Sequence, residues 1–123
     1  MIVNLRTLKD IAEIEYGSIV EYTVITDINT MRILFYDGSY LDVWFSLKLE
    51  GRYSYHWERR HIDGTLFRHD NAPHMRWRDI STFPKHFHDG SEENVRDSDI
   101  PEQPENGIRY FLHFIREKRD VKE

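Results

Sequence analysis

Apolar and polar residues alternate with a period of two through most of residues 18–68, and this alternation constrains the fold more than any other feature. Successive side chains of a β-strand point to opposite faces, so the period is typical of strands that bury one face only. Four short turn signals interrupt the pattern, and three of them contain glycine. The strands predicted between them cover residues 18–27, 31–36, 40–49, 53–59 and 65–68. Because the connections are short, we expect consecutive strands to pair antiparallel, as a meander.

Helical periodicity replaces this pattern at both ends of the chain. Near the N-terminus it predicts a helix over about residues 7–16, with Thr7 or Asn4 as the N-cap. A second apolar stripe predicts a helix over about residues 104–118. The expected fold class is therefore α+β, with an antiparallel meander sheet of about five strands flanked by an N-terminal and a C-terminal helix. At this length we expect residues 1–123 to form a single domain.

The strand register decides which side chains share a face of the sheet. Three-residue loops on either side of the third predicted strand place Ile33 opposite Val43 and Phe45 opposite Trp57, which makes one face continuously apolar. The other face then carries polar and aromatic side chains: Arg32, Tyr36, Tyr40, Asp42, Trp44, Ser46, Lys48, Ser54, His56 and Glu58. A second face of this composition predicts a binding surface.

The net charge of −5 is unevenly distributed. Residues 51–90 carry seven Lys and Arg against five Asp and Glu, whereas residues 91–105 carry one against six. We expect an acidic, mobile linker at about residues 89–105, since it is poor in apolar residues and contains two prolines. Its charge predicts that it folds over the basic centre of the chain. The lack of cysteine and of an apolar run of about 20 residues predicts a cytoplasmic protein without a membrane segment.

Histidines are concentrated between residues 53 and 88, which hold six of the seven in the chain together with five arginines. These six are His56, His61, His69, His74, His86 and His88. Imidazole moves protons near neutral pH, guanidinium stabilises negative charge, and flat aromatic rings stack on bases. The combination predicts a site for a phosphodiester.

Two groups within this stretch are candidates for catalysis. His56 lies on the polar face beside Glu58, whose carboxylate would fix the imidazole tautomer. Arg68, Asp70 and His74 follow at the end of the last predicted strand, where a rigid scaffold often holds catalytic groups. The structural alternative is a surface histidine, a turn capped by Asp70, and an ion pair between Arg68 and Glu58.

His86 and His88 form a third candidate group, because alternate residues of an extended segment point the same way. With His74 they would make a three-histidine metal site with an open position. No carboxylate accompanies them at a fixed spacing, so we favour a metal-independent acid–base pair and predict no metal and no cofactor.

Several side chains are suited to contact RNA. Arg59, Arg76 and Lys85 are candidates for binding phosphate groups, and Trp44 or Trp77 for stacking a base. The structural alternative for these positions is a solvated, charged surface.

At YSYHW, DNAPH and STFPKHFH the sequence resembles the TumE-like family, small toxins of bacterial and archaeal toxin–antitoxin pairs. The resemblance covers most of the chain. Its specific part lies between residues 53 and 93, where family members typically read Y-S-Y-H-W, then W-D-N-A-P-H-H, then T-F-P-H-H-x-H. This chain departs from the pattern at His69, Met75 and Lys85. The resemblance implies a toxin that acts as a ribonuclease and is neutralised by a helix-turn-helix antitoxin.

The function predicted from these observations is a metal-independent endoribonuclease. His56 or His74 would accept the 2′-hydroxyl proton, and His86 or His88 would protonate the leaving 5′-oxygen. Arg68, with Lys85 or Arg59, would stabilise charge on the phosphate. The alternatives are a non-catalytic module that binds RNA or protein, and a hydrolase with a histidine-bound metal. The expected partners are an RNA substrate and the antitoxin, and we also consider a homodimer.

Overall fold

Seven antiparallel strands form one sheet in the computed structural model, which describes residues 3–121. They are β1 (Val20–Asp27), β2 (Thr30–Phe35), β3 (Tyr40–Phe45), β4 (Tyr53–Arg59), β5 (Thr65–Asp70), β6 (His86–Gly90) and β7 (Val95–Asp97). Their order in the sheet is their order in the chain, so the predicted meander is confirmed. The predicted number of about five strands is wrong, because β6 and β7 were not expected.

Helices flank the sheet at both ends of the chain, as predicted. The first, α1 (Leu5–Asp10), continues as a π-helical turn over Ile11–Glu15, and Asn4 caps it by accepting from the Thr7 N–H at 3.3 Å. A short helix, α2 (Arg60–Asp63), links β4 to β5, and α3 (Pro104–Val121) closes the chain. Within the described residues, no helix combines the length and the apolar character that crossing a membrane requires.

The core lies between one face of the sheet and the two terminal helices. Tyr55 and Trp57 project from β4 into this layer, where Phe111 and Phe114 of α3 meet them edge-on with ring centroids 6.5 and 6.3 Å apart. Both β4 rings are almost completely buried. Burial of a large apolar side chain stabilises a fold by about 1.5–3 kcal/mol, so these contacts determine which face of the sheet is covered. The opposite face is left open.

The strand registers differ from the predicted ones without changing the faces. Ile33 pairs with Leu41, two residues from the predicted register, and Phe45 pairs with Tyr53, four residues from it. Both displacements are even numbers, so the side chains of these strands keep their predicted sides.

The connection between β3 and β4 is longer than predicted because Ser46 begins a turn. Its hydroxyl oxygen accepts from the backbone N–H groups of Lys48 and Leu49, at 3.1 and 2.9 Å. Gly51 completes the connection with a φ of +85°. Leu47 and Leu49 are therefore exposed, and the third strand ends at Phe45 rather than at residue 49 as predicted.

The segment 89–105 is more structured than the predicted exposed linker. It contains β7, and the side chains of Ser98 and Ile100 within it are buried. Ile100 belongs to the main hydrophobic core. The residues of the turn between β6 and β7, 91–94, are exposed as predicted.

Candidate functional site

Two rows of polar side chains cross the open face over β4, β5 and β6. In the first row Ser54 pairs with Asp70 and Asp70 with His86. In the second row His56 pairs with Arg68 and Arg68 with His88. Antiparallel pairing thus brings together five of the six predicted catalytic residues.

A cavity of about 420 Å³ opens above these rows. Arg68, Asp70, His86 and His88 contribute to its lining. The remaining predicted site residues that line it are Trp44, His74, Arg76 and Trp77. Trp77 lies against both β6 histidines, with ring centroids 6.3 Å from His86 and 6.1 Å from His88. A 3₁₀ turn over Met75–Trp77 brings Trp77 and Arg76 to this wall.

The carboxylate of Asp70 organises the site. Its Oδ1 accepts from the Ala72 N–H at 3.0 Å and lies 3.2 Å from His86 Nε2, while its Oδ2 accepts from Arg68 Nε at 3.1 Å. Burial alone would raise the pKa of Asp70, but the hydrogen bond from His86 and these other donors outweigh burial and lower the pKa to about 2. Asp70 is therefore a carboxylate at neutral pH.

His86 is held in a position that favours its protonated form. Its Nδ1 lies 2.9 Å from the carbonyl oxygen of Pro84, which can only accept, so Nδ1 carries a hydrogen. Its Nε2 faces Asp70. Burial lowers the pKa of His86, but the hydrogen bond to Asp70 and the bond to Pro84 reverse this effect and raise it overall.

His88 has the opposite preference. Its Nδ1 donates to the carbonyl oxygen of Glu92 at 2.9 Å, so Nε2 of the neutral ring carries a lone pair. This Nε2 is buried and has no hydrogen-bond partner among the residues that the structure describes. Burial lowers the pKa of His88, and the nearby charge of Arg68 lowers it further. The ring centroids of His86 and His88 are 5.0 Å apart.

The guanidinium of Arg68 connects the two rows. Besides Asp70 it contacts Glu92, with 2.6 Å between Nη2 and Oε1 and 3.3 Å between Nη1 and Oε2. The hydrogen bond from Arg68 lowers the pKa of Glu92. A paired carboxylate thus occupies the position where Arg68 would hold a phosphate, which has similar geometry and charge. The sequence analysis identified the acidic tract but not Glu92 itself.

His56 is fully engaged by its neighbours. Its Nε2 donates to Glu58 at 3.0 Å, and its Nδ1 accepts from Arg68 Nη1 at 3.2 Å. Glu58 is buried and also binds Arg60, rather than Arg68 as in the structural alternative above. His56 therefore positions Arg68, and both of its ring nitrogens are occupied.

Two of the predicted RNA contacts lie outside the cavity. Arg59 is 4% exposed and projects to the core side of the sheet, where it binds Asp37 at 2.7 Å and Asp63 at 3.1 Å. Arg59 occupies an odd-numbered position of β4, as does Trp57, whose side chain faces the core. This parity could have excluded Arg59 from the open face. Lys85 precedes β6 and does not contribute to the described lining of the cavity. We leave both residues out of the proposed site.

Asp70, His86 and His88 are the residues best placed to hold a metal. One ligand atom from each lies within 4.8 Å of the others, and His74, which the sequence analysis considered as a ligand, is not part of this cluster. A cation would have to compete for a carboxylate that already accepts from Arg68, Ala72 and His86.

Fold and site together define a small single-sheet α+β protein with a histidine- and arginine-lined cavity on the open face of its sheet. The family model described as Toxin TumE matches residues 5–119. The chain belongs to this toxin family, as the sequence motifs indicated, and membership implies an antitoxin partner. No match was found among curated proteins or among solved structures.

Proposed function

We propose that this toxin is a metal-independent endoribonuclease in which His88 is the general base and His86 the general acid. The observation that carries the proposal is the opposite effect of the surroundings on these two histidines, 5.0 Å apart in one cavity. Neighbouring titratable groups whose pKa values are moved apart are typical of acid–base pairs. His56 or His74 was the base predicted from the sequence, but Nε2 of His56 donates to Glu58 and the lone pair of its Nδ1 is taken by Arg68, so His56 has no free lone pair with which to accept a proton.

The reaction transfers a phosphoryl group within the RNA strand. Nε2 of His88 accepts the proton of a 2′-hydroxyl, whose oxygen forms a bond to the adjacent phosphorus. The bond from phosphorus to the 5′-oxygen breaks, and Nε2–H of His86 donates its proton to that oxygen. The products are a 2′,3′-cyclic phosphate and a 5′-hydroxyl end. A positioned acid or base contributes about 10²–10⁴ in rate.

Arg68 supplies positive charge to the phosphate as the pentavalent transition state forms. Its guanidinium is anchored by Asp70 and His56 and faces the cavity, so it needs little reorganisation during the reaction. Trp44 and Trp77 on the cavity walls would stack the flanking bases. We further propose an antitoxin of the helix-turn-helix type, a cytoplasmic location and a homodimer as the biological context.

Two other functions each have one supporting observation. Binding without cleavage is favoured by the small exposure of His86 and His88, which are 1% and 3% exposed. A metal-dependent hydrolase is favoured by the convergence of Asp70 with these two histidines. In the proposed endoribonuclease, the side chain of Glu92 must first leave Arg68, because the phosphate would bind the same guanidinium nitrogens.

Cleavage of labelled RNA by purified protein, with and without chelator, tests the proposal. We expect cleavage that survives chelation, yields a 2′,3′-cyclic phosphate, and falls at least about 100-fold in His86→Ala and in His88→Ala. His61→Ala is the matched control, because His61 is exposed and bonded to the Gly38 carbonyl oxygen, away from the cavity. Loss of cleavage on chelation would favour the metal hydrolase, and no cleavage by the parent would favour the binding module.

A further inference from the structure

We propose that the cavity holds two consecutive phosphates of a single RNA strand, one on Arg68 and the next on Arg76, and that Glu92 and Glu93 occupy these positions in the free toxin. The identity of the strand as RNA rests on the proposed function. The presence of two anion subsites rests on the contacts of these four side chains.

The first subsite is formed by Arg68. Its Nη1 and Nη2 both contact the carboxylate of Glu92, and Oε1 of that carboxylate also lies 3.6 Å from Nδ1 of His88. Glu92 is about half exposed, whereas Arg68 is largely buried. A largely buried guanidinium that carries a half-exposed acidic side chain is suited to exchange this carboxylate for a phosphate.

The second subsite is formed by Arg76, whose Nη2 binds the carboxylate of Glu93. Both side chains are well exposed, at 64% for Arg76 and 70% for Glu93. Exposed ion pairs contribute little to stability, so this contact opens at little cost. The guanidinium of Arg76 also lies 4.7 Å from the ring centroid of Trp77, which holds it at the cavity wall.

The two occupied positions are adjacent along the chain. Glu92 and Glu93 are consecutive residues, and both line the cavity together with both arginines. A nucleic-acid strand likewise carries one negative charge per nucleotide. Trp77, beside Arg76 and against the β6 histidines, offers a surface on which the base between two such phosphates can stack. A single strand with two neighbouring phosphates would supply one anion to each arginine and a base to Trp77.

The backbone of the β6–β7 turn does not need to unfold for exchange. His88 is held by the backbone carbonyl of Glu92, whereas Arg68 is held by the side-chain carboxylate of Glu92. The side chain can therefore rotate away while His88 keeps its orientation. Removal of the whole acidic segment would also remove β7 and the buried Ile100, so single substitutions give the sharper test.

Binding of 2′-O-methyl oligonucleotides, which lack the nucleophilic hydroxyl, tests the two subsites without cleavage. We would titrate the full-length protein with a dinucleotide carrying one internal phosphate and a trinucleotide carrying two, at low salt. In the parent protein the trinucleotide should bind about tenfold more tightly than the dinucleotide. Arg76→Gln should abolish this gain and leave the dinucleotide affinity unchanged. Arg78→Gln is the matched control. Arg78 directly follows the 3₁₀ turn that contains Arg76 and donates to the Met75 carbonyl oxygen, and it does not line the cavity.

The acidic side chains are tested with the same two ligands. Glu92→Gln should strengthen binding of both oligonucleotides several-fold, and Glu93→Gln should strengthen binding of the trinucleotide only. Glu21→Gln on β1 controls for the change in net charge. Equal affinity of the parent for both ligands, loss of dinucleotide binding in Arg76→Gln, or no binding of either ligand would overturn the inference. Failure of the proposed function would instead leave this binding pattern intact while ordinary RNA stays uncut.

Discussion

Nε2 of His86 lies 3.2 Å from Oδ1 of Asp70, and this contact separates the two cavity histidines chemically. Burial disfavours the protonated ring of His86, but the hydrogen bonds to Asp70 and to the Pro84 carbonyl oxygen together outweigh burial, so the pKa of His86 rises. His88, 5.0 Å away between ring centroids, faces the same carboxylate only at 3.9 Å, and burial lowers its pKa. The surroundings therefore favour the protonated ring at His86 and the neutral ring at His88, which is the division that the proposed acid–base mechanism requires.

Asp70→Asn should move the basic limb of the cleavage profile to lower pH. In the parent, kcat/KM should be bell-shaped, because activity requires neutral His88 and protonated His86. Asparagine replaces the charged hydrogen bond, worth about 1.5–3 kcal/mol, with a neutral one, so the pKa of His86 should fall. Asp42→Asn is the control, since Asp42 pairs with Arg32 on the same face. An unmoved basic limb would show that His86 is not the acid.

His56→Ala should weaken the toxin without abolishing its activity. His56 reaches the reaction through a hydrogen bond with Arg68, so its removal loosens the phosphate-binding group and leaves His86 and His88 in place. One such hydrogen bond is worth about 0.5–1.5 kcal/mol, which predicts a fall in kcat/KM of about two- to tenfold. Steady-state cleavage beside His113→Ala, a change on the exposed side of α3, would measure this. A 100-fold loss of kcat would instead make His56 the base.

The open and covered faces of the sheet were predictable because they depend only on the parity of residue positions. Ile33 and Phe45 are buried even though their partners are displaced from the predicted register. The strand β6 was not predictable in this way. Its alternate residues His86 and His88 are buried against a polar cavity rather than an apolar core, so hydrophobic periodicity gives no signal for it.

The sequence indicated which residue types form the site but not their chemical states. Whether His86 or His88 holds the proton depends on two backbone carbonyls and on the distance of each ring from Asp70. These are tertiary relationships between residues that local pattern does not specify. The position of Glu92 on Arg68 is of the same kind, since overall charge predicted an acidic cover but not which carboxylate provides it.

His69→Phe should make folding stability less sensitive to acid. The ring of His69 is stacked 4.2 Å from that of Phe87 and bonded to Ser98 at 2.7 Å, and burial lowers its pKa to about 3. The unfolded chain binds a proton at this residue near pH 6.5, whereas the folded chain does not, so stability falls as the pH decreases through 6.5 toward 3.

Protonation of His69 in the unfolded chain should lower the free energy of unfolding by about 2 kcal/mol between pH 7 and pH 5. Urea denaturation at both pH values would measure the free energy of unfolding of the parent and the variant. Comparison of the pH dependence, rather than of absolute stability, removes the cost of leaving Ser98 without its histidine partner. An identical dependence in the two proteins would contradict the assignment.

Asp37→Asn should destabilise the fold at neutral pH. It should also remove a loss of stability that the parent shows at lower pH than the loss due to His69. Oδ1 of Asp37 accepts from the hydroxyl of Ser39 at 2.6 Å, and Oδ2 accepts from Arg59 at 2.7 Å and Arg119 at 3.2 Å. Burial would raise the pKa of Asp37, but these donors lower it to about 2. Because the folded-state pKa lies below the ordinary value of 3.8, the stabilisation is present above pH 3.8 and is lost as the pH falls toward 2.

The expected loss in Asp37→Asn is about 2 kcal/mol at pH 7, with a flatter acid limb between pH 4 and pH 2. The substitution removes the ion pairs of Asp37 with Arg59 and Arg119, but Arg59 keeps Asp63 as a partner, which limits the loss of stability. Asp42→Asn, which breaks the more exposed pair with Arg32, should cost less than about 1 kcal/mol. Urea denaturation across this pH range would distinguish the two variants. Equal losses would mean that the network around Asp37 contributes no more than a surface ion pair, because its desolvation then offsets the additional hydrogen bonds.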